Sequence, residues 1–183
     1  MHRGAQLTEQ IILVNENDKE IGFADKMEAH IRGELHRAFS IFVFNSDGKM
    51  LIHRRALSKY HSGGLWTNTC CSHPRKGESL NEAAHRRLQE EMGFDCPLEE
   101  IFSFMYRKEL DRDLIENEYD HVFIGEFNGQ PSPNPSEVEE YAWIDPNAAI
   151  TDIKEKPEKY SYWFTLALER VINSTFPQHI KKP

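Results

Sequence analysis

Cysteines and long apolar runs are both scarce in this chain of 183 residues. It has three cysteines, two of them adjacent, and this sparse, odd set argues against a disulfide scaffold and predicts a reducing, cytoplasmic location. The longest apolar runs, such as 11–14 and 41–44, have four residues. Because a membrane-spanning helix needs about 20 apolar residues, we expect no membrane partner.

Basic residues are also fewer than acidic ones: the chain has 22 Lys and Arg against 30 Asp and Glu, a net charge of −8. This balance argues against a uniformly basic surface for nucleic acid, so no nucleic-acid partner is expected. The charge is uneven, however: residues 26–87 carry 11 basic and 5 acidic groups, whereas residues 88–183 carry 9 and 20. An acidic chain therefore contains one locally basic stretch.

The chain shows no internal repeat, low-complexity tract or Pro/Gly/Ser linker, which predicts a single domain over residues 1–183. Short β-branched runs predict strands at 11–15, 35–45, 49–54, 98–107, 116–127 and 138–144. Helical spacing predicts one helix over 79–93, with a capping box and a terminal glycine, and another over 158–173. The pattern is that of an α+β protein, a mixed β-sheet flanked by helices.

A charged segment links a loop to the first predicted helix. It reads Ser72-His73-Pro74-Arg75-Lys76-Gly77-Glu78 and continues, on the helix, as Arg86-Arg87-Leu88-Gln89-Glu90-Glu91-Met92-Gly93-Phe94. Most charged helices only expose solvated ion pairs. The whole run nevertheless resembles the Nudix box, a loop–helix–loop whose carboxylates bind a divalent cation that bridges to a diphosphate.

Two positions depart from that box. Ser72 stands where the motif begins with Gly, and Arg87 stands where its central helix carries Glu. In hydrolytic members that Glu contributes to the metal cluster that activates water. A cation in its place argues against hydrolysis but is compatible with diphosphate binding, since Arg is a good phosphate ligand.

The segment immediately before the box makes the resemblance specific to one family. It reads Trp66-Thr67-Asn68-Thr69-Cys70-Cys71-Ser72-His73-Pro74. Alone, a buried cysteine is usually inert packing and Cys-x-His is a weak zinc signal. Together with the box, it resembles the type 1 isopentenyl-diphosphate isomerase family, with family-like segments from about residue 9 to 172. The resemblance implies a Nudix-type fold and interconversion of isopentenyl and dimethylallyl diphosphate.

Carboxylates and histidines suggest metal ligands. Glu116 and Glu118 share one face of a predicted strand, where they repel each other unless a cation or a shared proton lies between them. Single histidines are more often structural. The resemblance implies one divalent metal on His30, His36, His73, Glu116 and Glu118. Mixed imidazole and carboxylate ligands suit Mn, Fe or Zn, and geometry is needed to choose among them. Mn²⁺ is the expected ion and Zn²⁺ the alternative. It also implies Mg²⁺ between Glu91 and the substrate diphosphate.

The resemblance further implies the residues that bind and convert the substrate. The diphosphate-binding positions are Lys26, Arg55, Lys59 and Arg87. The acid–base pair is Glu118 and Cys71, with Tyr106 in the relay beside Glu118. Trp163 stands where the family has an aromatic residue that shields a cation, although it also suits the core of the last helix.

Acid–base residues are needed because an unactivated allylic C–H is too weak an acid to lose its proton first. Protonation of the terminal alkene carbon gives a tertiary carbocation, from which a neighbouring proton is then easily lost. We therefore assign protonation to Glu118 with Tyr106 and proton removal to Cys71, with the roles exchanged in the reverse direction. On an extended segment, Cys70 should point away from Cys71 and serve only in packing.

Two alternative functions remain open from the sequence. A Nudix pyrophosphohydrolase would release phosphate or a monophosphate, and a non-catalytic diphosphate- or metal-binding module would bind without turnover. Arg87 and the pairing of Cys71 with Glu118 favour the isomerase. The expected partner is a small isoprenoid diphosphate, and the expected oligomeric state is a monomer.

Overall fold

The structure, a computed structural model, describes residues 9–179, with side chains described as far as residue 175. The ends of the predicted 1–183 domain therefore lie outside the described residues. The strands are β1 (Gln10–Val14), β2 (Glu20–Asp25), β3 (His36–Phe44), β4 (Met50–Arg55), β5 (Trp66–Thr67), β6 (Cys70–Ser72), β7 (Leu98–Glu109), β8 (Ile115–Glu126) and β9 (Val138–Ile144). The helices are α1 (Lys26–Arg32), α2 (Leu80–Met92), α3 (Pro146–Glu155) and α4 (Tyr162–His179).

Strand β3 is the centre of the sheet. It runs parallel to β8 along its whole length and antiparallel to β6 on its other side, with short pairings to β1 and β4. Strand β7 pairs with the outer edge of β8, and β4 carries both β5 and β9. The mixed strand directions and the flanking helices confirm the predicted α+β fold.

Alternation along β3 builds a core on each face of the sheet. Phe39, Ile41 and Val43 pack in a cluster with the buried side chains of α2, whereas Phe42 packs with those of α4. All four side chains are fully buried or nearly so. The period of two along a strand therefore anchors α2 and α4 to opposite faces.

Both predicted helices are confirmed, although the second begins later than expected. A 3₁₀ turn over Pro157–Lys159 precedes it, and the backbone N–H of Ser161 donates to the carbonyl of Trp66 at 2.9 Å. This pairing with β5 keeps the chain extended until Tyr162, where α4 starts. Within residues 9–179, no helix has the length and apolarity needed to cross a membrane.

Candidate active site

One cavity gathers most of the predicted site residues from separate elements. Its lining includes Lys26, Arg55, Lys59, Cys71, His73, Arg87, Glu91, Tyr106, Glu116, Glu118 and Trp163. The two remaining predicted residues, His30 and His36, are fully buried and approach its glutamates. Strand pairing explains part of this convergence, because His36 at the start of β3 lies opposite Glu118 on the parallel strand β8.

Four of the predicted metal ligands form a cluster. One ligand atom from each of His30, His36, His73 and Glu118 lies within 4.8 Å of the other three. The Nδ1 atoms of His30 and His36 contact backbone carbonyl oxygens at 2.6 and 2.8 Å. A carbonyl only accepts, so each Nδ1 must carry the hydrogen, and in the neutral imidazole each Nε2 then has a free lone pair. This is the tautomer that metal-binding histidines use.

Unpaired buried atoms show that these residues fit a divalent cation. The Nε2 atoms of His30 and His36 and the Oε2 atom of Glu116 are buried without a hydrogen-bond partner. Such atoms are costly unless an ion or water satisfies them. Burial also lowers the pKa of His73 to about 3, so that its imidazole is neutral and available as a ligand.

Glu116 lies at the edge of this cluster and belongs to a second one with His30 and His61. Its Oε2 lies 3.6 Å from Nε2 of His30, and its Oε1 lies 2.9 Å from Nε2 of His61. The sequence interpretation missed His61, because a single histidine in a polar loop has no informative spacing. His61 is therefore a sixth polar side chain beside the five predicted metal ligands.

The predicted acid and base have different surroundings. The Tyr106 hydroxyl donates to Oε2 of Glu118 at 2.7 Å, and burial raises the pKa of Tyr106, which therefore keeps its proton. Burial and the Glu116 charge favour protonation of Glu118, but the neighbouring imidazoles of His36 and His73 more than offset them and lower its pKa. The ligand-free protein therefore has an ionised Glu118 that accepts a hydrogen bond from a neutral phenol.

Cys71 keeps its proton in the ligand-free protein. Burial raises the pKa of its thiol to about 12, although Arg55, whose Nη1 lies 3.7 Å from Sγ, opposes this shift. Its neighbour Cys70 packs in the α2-side core, whereas Cys71 lies on the α4 side and lines the cavity. The prediction that Cys70 points away from Cys71 is confirmed.

Two of the predicted diphosphate-binding cations, Lys59 and Arg87, have acidic partners. Arg87 contacts Glu90 at 2.6 Å and Glu137 at 3.4 Å, and Lys59 forms an ion pair with the same Glu137. The shared Glu137 thereby holds Lys59 and Arg87 near each other. Glu137 was not predicted, because one glutamate among many in the acidic half of the chain is uninformative.

Trp163 closes the cavity from α4. Its side chain is buried, and its indole N–H donates to Oδ1 of Asn68 at 3.2 Å. The guanidinium of Arg55 lies 5.2 Å from the ring centroid, on the face that attracts cations. Trp163 therefore packs in the core and also lines the cavity.

Comparison with known proteins gives the family. The family model described as the NUDIX domain matches residues 34–164. Isopentenyl-diphosphate Delta-isomerase 2 of Aromatoleum aromaticum is 53% identical over 167 residues, 91% of this chain and 88% of that protein. The chain belongs to the type 1 isopentenyl-diphosphate isomerases of the Nudix superfamily. Isopentenyl-diphosphate Delta-isomerase 2 of Photorhabdus laumondii agrees, with 49% identity over 176 residues, 96% of this chain and 97% of that protein.

Solved structures confirm the predicted Nudix-type fold. The crystal structure of the Deinococcus radiodurans protein DR0079 has a TM-score of 0.73 at 20% identity, covering 88% of this chain and 98% of that one. The MutT protein from Methanosarcina mazei has a TM-score of 0.61 at 21% identity, covering 81% and 96%. At these identities the likeness concerns the fold alone.

Proposed function

We propose that this cavity is where the chain interconverts isopentenyl and dimethylallyl diphosphate by adding and removing protons. Membership of the family makes the chain an isomerase that moves a carbon–carbon double bond. The observation that carries the site assignment is one cavity that combines a thiol, a carboxylate paired with a phenol, and several cations. This combination suits an allylic diphosphate, which needs an acid, a base and phosphate ligands.

In the proposed reaction, Glu118 with Tyr106 protonates the terminal alkene carbon and Cys71 removes a proton from the neighbouring carbon. Conversion of isopentenyl diphosphate therefore begins with a protonated Glu118 and a Cys71 thiolate. It ends with an ionised Glu118 and a Cys71 thiol, the forms that the lowered pKa of Glu118 and the raised pKa of Cys71 favour. We infer that a proton must return from Cys71 to Glu118 before each new turnover in that direction.

The carbocation between the two steps must be kept from water, which would trap it as an alcohol. Trp163 is buried above the cavity and presents a π face, which contributes about 2 kcal/mol to a desolvated cation. We propose that this ring both excludes water and stabilises the developing charge.

The cations of the cavity bind the diphosphate in this proposal. The proposed phosphate ligands are Lys26, Arg55, Lys59 and Arg87. Glu91 would hold Mg²⁺, and the His/Glu cluster would hold a second divalent ion, Mn²⁺ or Zn²⁺. When bound, these ions supply positive charge that offsets phosphate repulsion and the negative charge of the clustered carboxylates.

The test is to incubate metal-loaded protein with isopentenyl diphosphate and Mg²⁺ in D₂O and to follow the reaction by NMR. Wild type should form dimethylallyl diphosphate with deuterium incorporated. Cys71→Ala and Glu118→Gln should each lower kcat by about 10²-fold or more while diphosphate affinity stays nearly constant. Cys70→Ala is the matched control, because this neighbouring thiol packs in the opposite core and should keep wild-type kcat.

The same experiment separates the alternatives. Release of phosphate or a monophosphate would support a pyrophosphohydrolase, and binding without deuterium incorporation would support a non-catalytic module. Wild-type rates in either the Cys71 or the Glu118 variant would refute the acid–base assignment. We also maintain that the protein is a cytoplasmic monomer without a nucleic-acid partner, for which sedimentation and binding measurements are the tests.

A further inference from the structure

The loop between β4 and β5, residues 56–65, places His61 over the proposed metal site. Its side chain is only 6% exposed, and its Nε2 lies 2.9 Å from Oε1 of Glu116. The loop is closed at its base, where the N–H of Gly64 donates to the carbonyl of Arg55 at 2.9 Å. Gly63 has no space for a Cβ beside the carbonyl of Leu57, so the backbone of the loop packs tightly on itself.

His61 lies outside the four-residue cluster of predicted metal ligands, and its hydrogen bonds suit a donor to Glu116. An ionised carboxylate only accepts, so the contact with Glu116 requires a hydrogen on Nε2. The hydroxyl of Ser62 lies 3.2 Å from Nδ1 and can donate to it, which suits the same neutral tautomer. In their neutral forms, His30 and His36 have the opposite tautomer, with a lone pair on Nε2.

We propose that His61 is a positioning residue that orients Glu116 toward the metal. By occupying Oε1, it leaves the other oxygen, Oε2, directed toward His30 and without a hydrogen-bond partner. A partner of this kind restricts the rotation of a carboxylate ligand and increases metal affinity. The inference rests on the metal site of the proposed function and adds a residue from a different element.

The same residue connects the metal site to the substrate-binding side of the cavity. The carbonyl of His61 accepts from Nη2 of Arg55 at 3.3 Å. Its ring meets the Trp163 indole edge-on, with centroids 6.0 Å apart. A change at His61 therefore affects the orientation of Glu116 directly and the contacts of Arg55 and Trp163 secondarily.

The experiment measures Mn²⁺ affinity by competition with a chelator, independently of turnover. His61→Ala should bind Mn²⁺ about 10- to 100-fold more weakly than wild type, the usual effect of removing a hydrogen-bond partner of a ligand. His61→Gln keeps an N–H donor near the position of Nε2 and should stay within about threefold of wild type. His85→Gln is the control, since His85 pairs with Asp95 on the outer surface of α2 and should have no effect.

The outcomes are distinct. Wild-type affinity in His61→Ala would overturn the inference. An equal loss in His61→Gln and His61→Ala would also overturn it, because it would make the imidazole itself a ligand. His36→Ala distinguishes a failure of the proposed metal site from a failure of the role given to His61. If His36→Ala binds Mn²⁺ normally, the proposed metal site is wrong. If it loses Mn²⁺ while His61→Ala does not, only the role of His61 is wrong.

Discussion

Two adjacent cysteines illustrate how strongly the surroundings of a residue determine its chemical behaviour. Cys70 and Cys71 have the same covalent chemistry, but the alternation of a strand sends them to opposite faces of the sheet. Cys70 is inert packing, whereas Cys71 meets the cavity. Burial raises the pKa of the Cys71 thiol to about 12, so its nucleophilicity in the ligand-free protein is low despite its access to the cavity.

Alkylation of Cys71 should therefore be slow at pH 8 and rise about tenfold per pH unit up to pH 11, because only the thiolate reacts. At pH 8 its thiolate fraction is about 10³-fold below that of an ordinary thiol. Iodoacetamide labelling followed by site-resolved mass spectrometry gives the rate, and labelling of the urea-unfolded chain gives the reference. A rate that levels off below pH 9 would contradict the raised pKa.

Helix α2 shows which features of an element are local and which depend on the fold. Its start is local, since Ser79 and Glu82 form the predicted capping box. Its end depends also on a distant loop: the N–H groups of Ser132 and Asn134 donate to the carbonyls of Met92 and Glu91 at 3.0 and 2.9 Å. The loop thus satisfies two carbonyls that lie at the end of the helix.

Gly93 lies where this loop meets the helix, and Gly93→Ala should be strongly destabilising. Its φ of +74° costs an alanine about 1 kcal/mol, and an added Cβ would also collide with the carbonyl oxygen of Ser132. Gly77→Ala is the matched control, with φ of +79° and open space around the Cβ.

Urea unfolding gives the free energies of the two variants. We expect a loss of about 1 kcal/mol for Gly77→Ala and about 3 kcal/mol or more for Gly93→Ala, because only the second combines strain with a clash. Equal losses would mean that the loop moves away without cost and does not restrain the helix end.

Stability of the whole molecule should depend on buried neutral histidines. Burial lowers the pKa of His53 to about 4 and that of His73 to about 3, against 6.5 for the ordinary residue. Between pH 6.5 and these lowered pKa values, the unfolded chain binds more protons than the folded one. The stability that these two histidines contribute is therefore greatest above pH 6.5 and falls as the pH decreases toward 4.

Urea unfolding of the metal-free protein between pH 7 and 4 should show this loss, with each histidine contributing up to about 1.4 kcal/mol per pH unit. His53→Asn keeps a donor toward the carbonyl of Thr69, which His53 contacts at 3.1 Å, but does not titrate. Its pH dependence should be shallower than that of wild type by about one proton. Identical slopes would show that His53 is not a source of the effect.

The sequence alone determined the parts of this protein that repeat a local pattern. Helix α2 follows from its capping box and apolar stripe, and the longer strands follow from their β-branched runs. The sequence also placed the basic stretch, at residues 26–87, ahead of the acidic remainder. Resemblance supplied the candidate residues, which the fold then brought into one cavity and its buried margin.

Tertiary structure alone decided what depends on distant partners. Strand β6 has three residues, too few for a recognisable period, and exists because it pairs with β3. Helix α1 was missed because its seven residues are too short for a clear apolar stripe. His61 and Glu137 could not be singled out from the sequence, because they contact Glu116 and Arg87, which come from other elements. The physical reason is that hydrogen bonds and ion pairs depend on distances in space, and only the folded chain determines them.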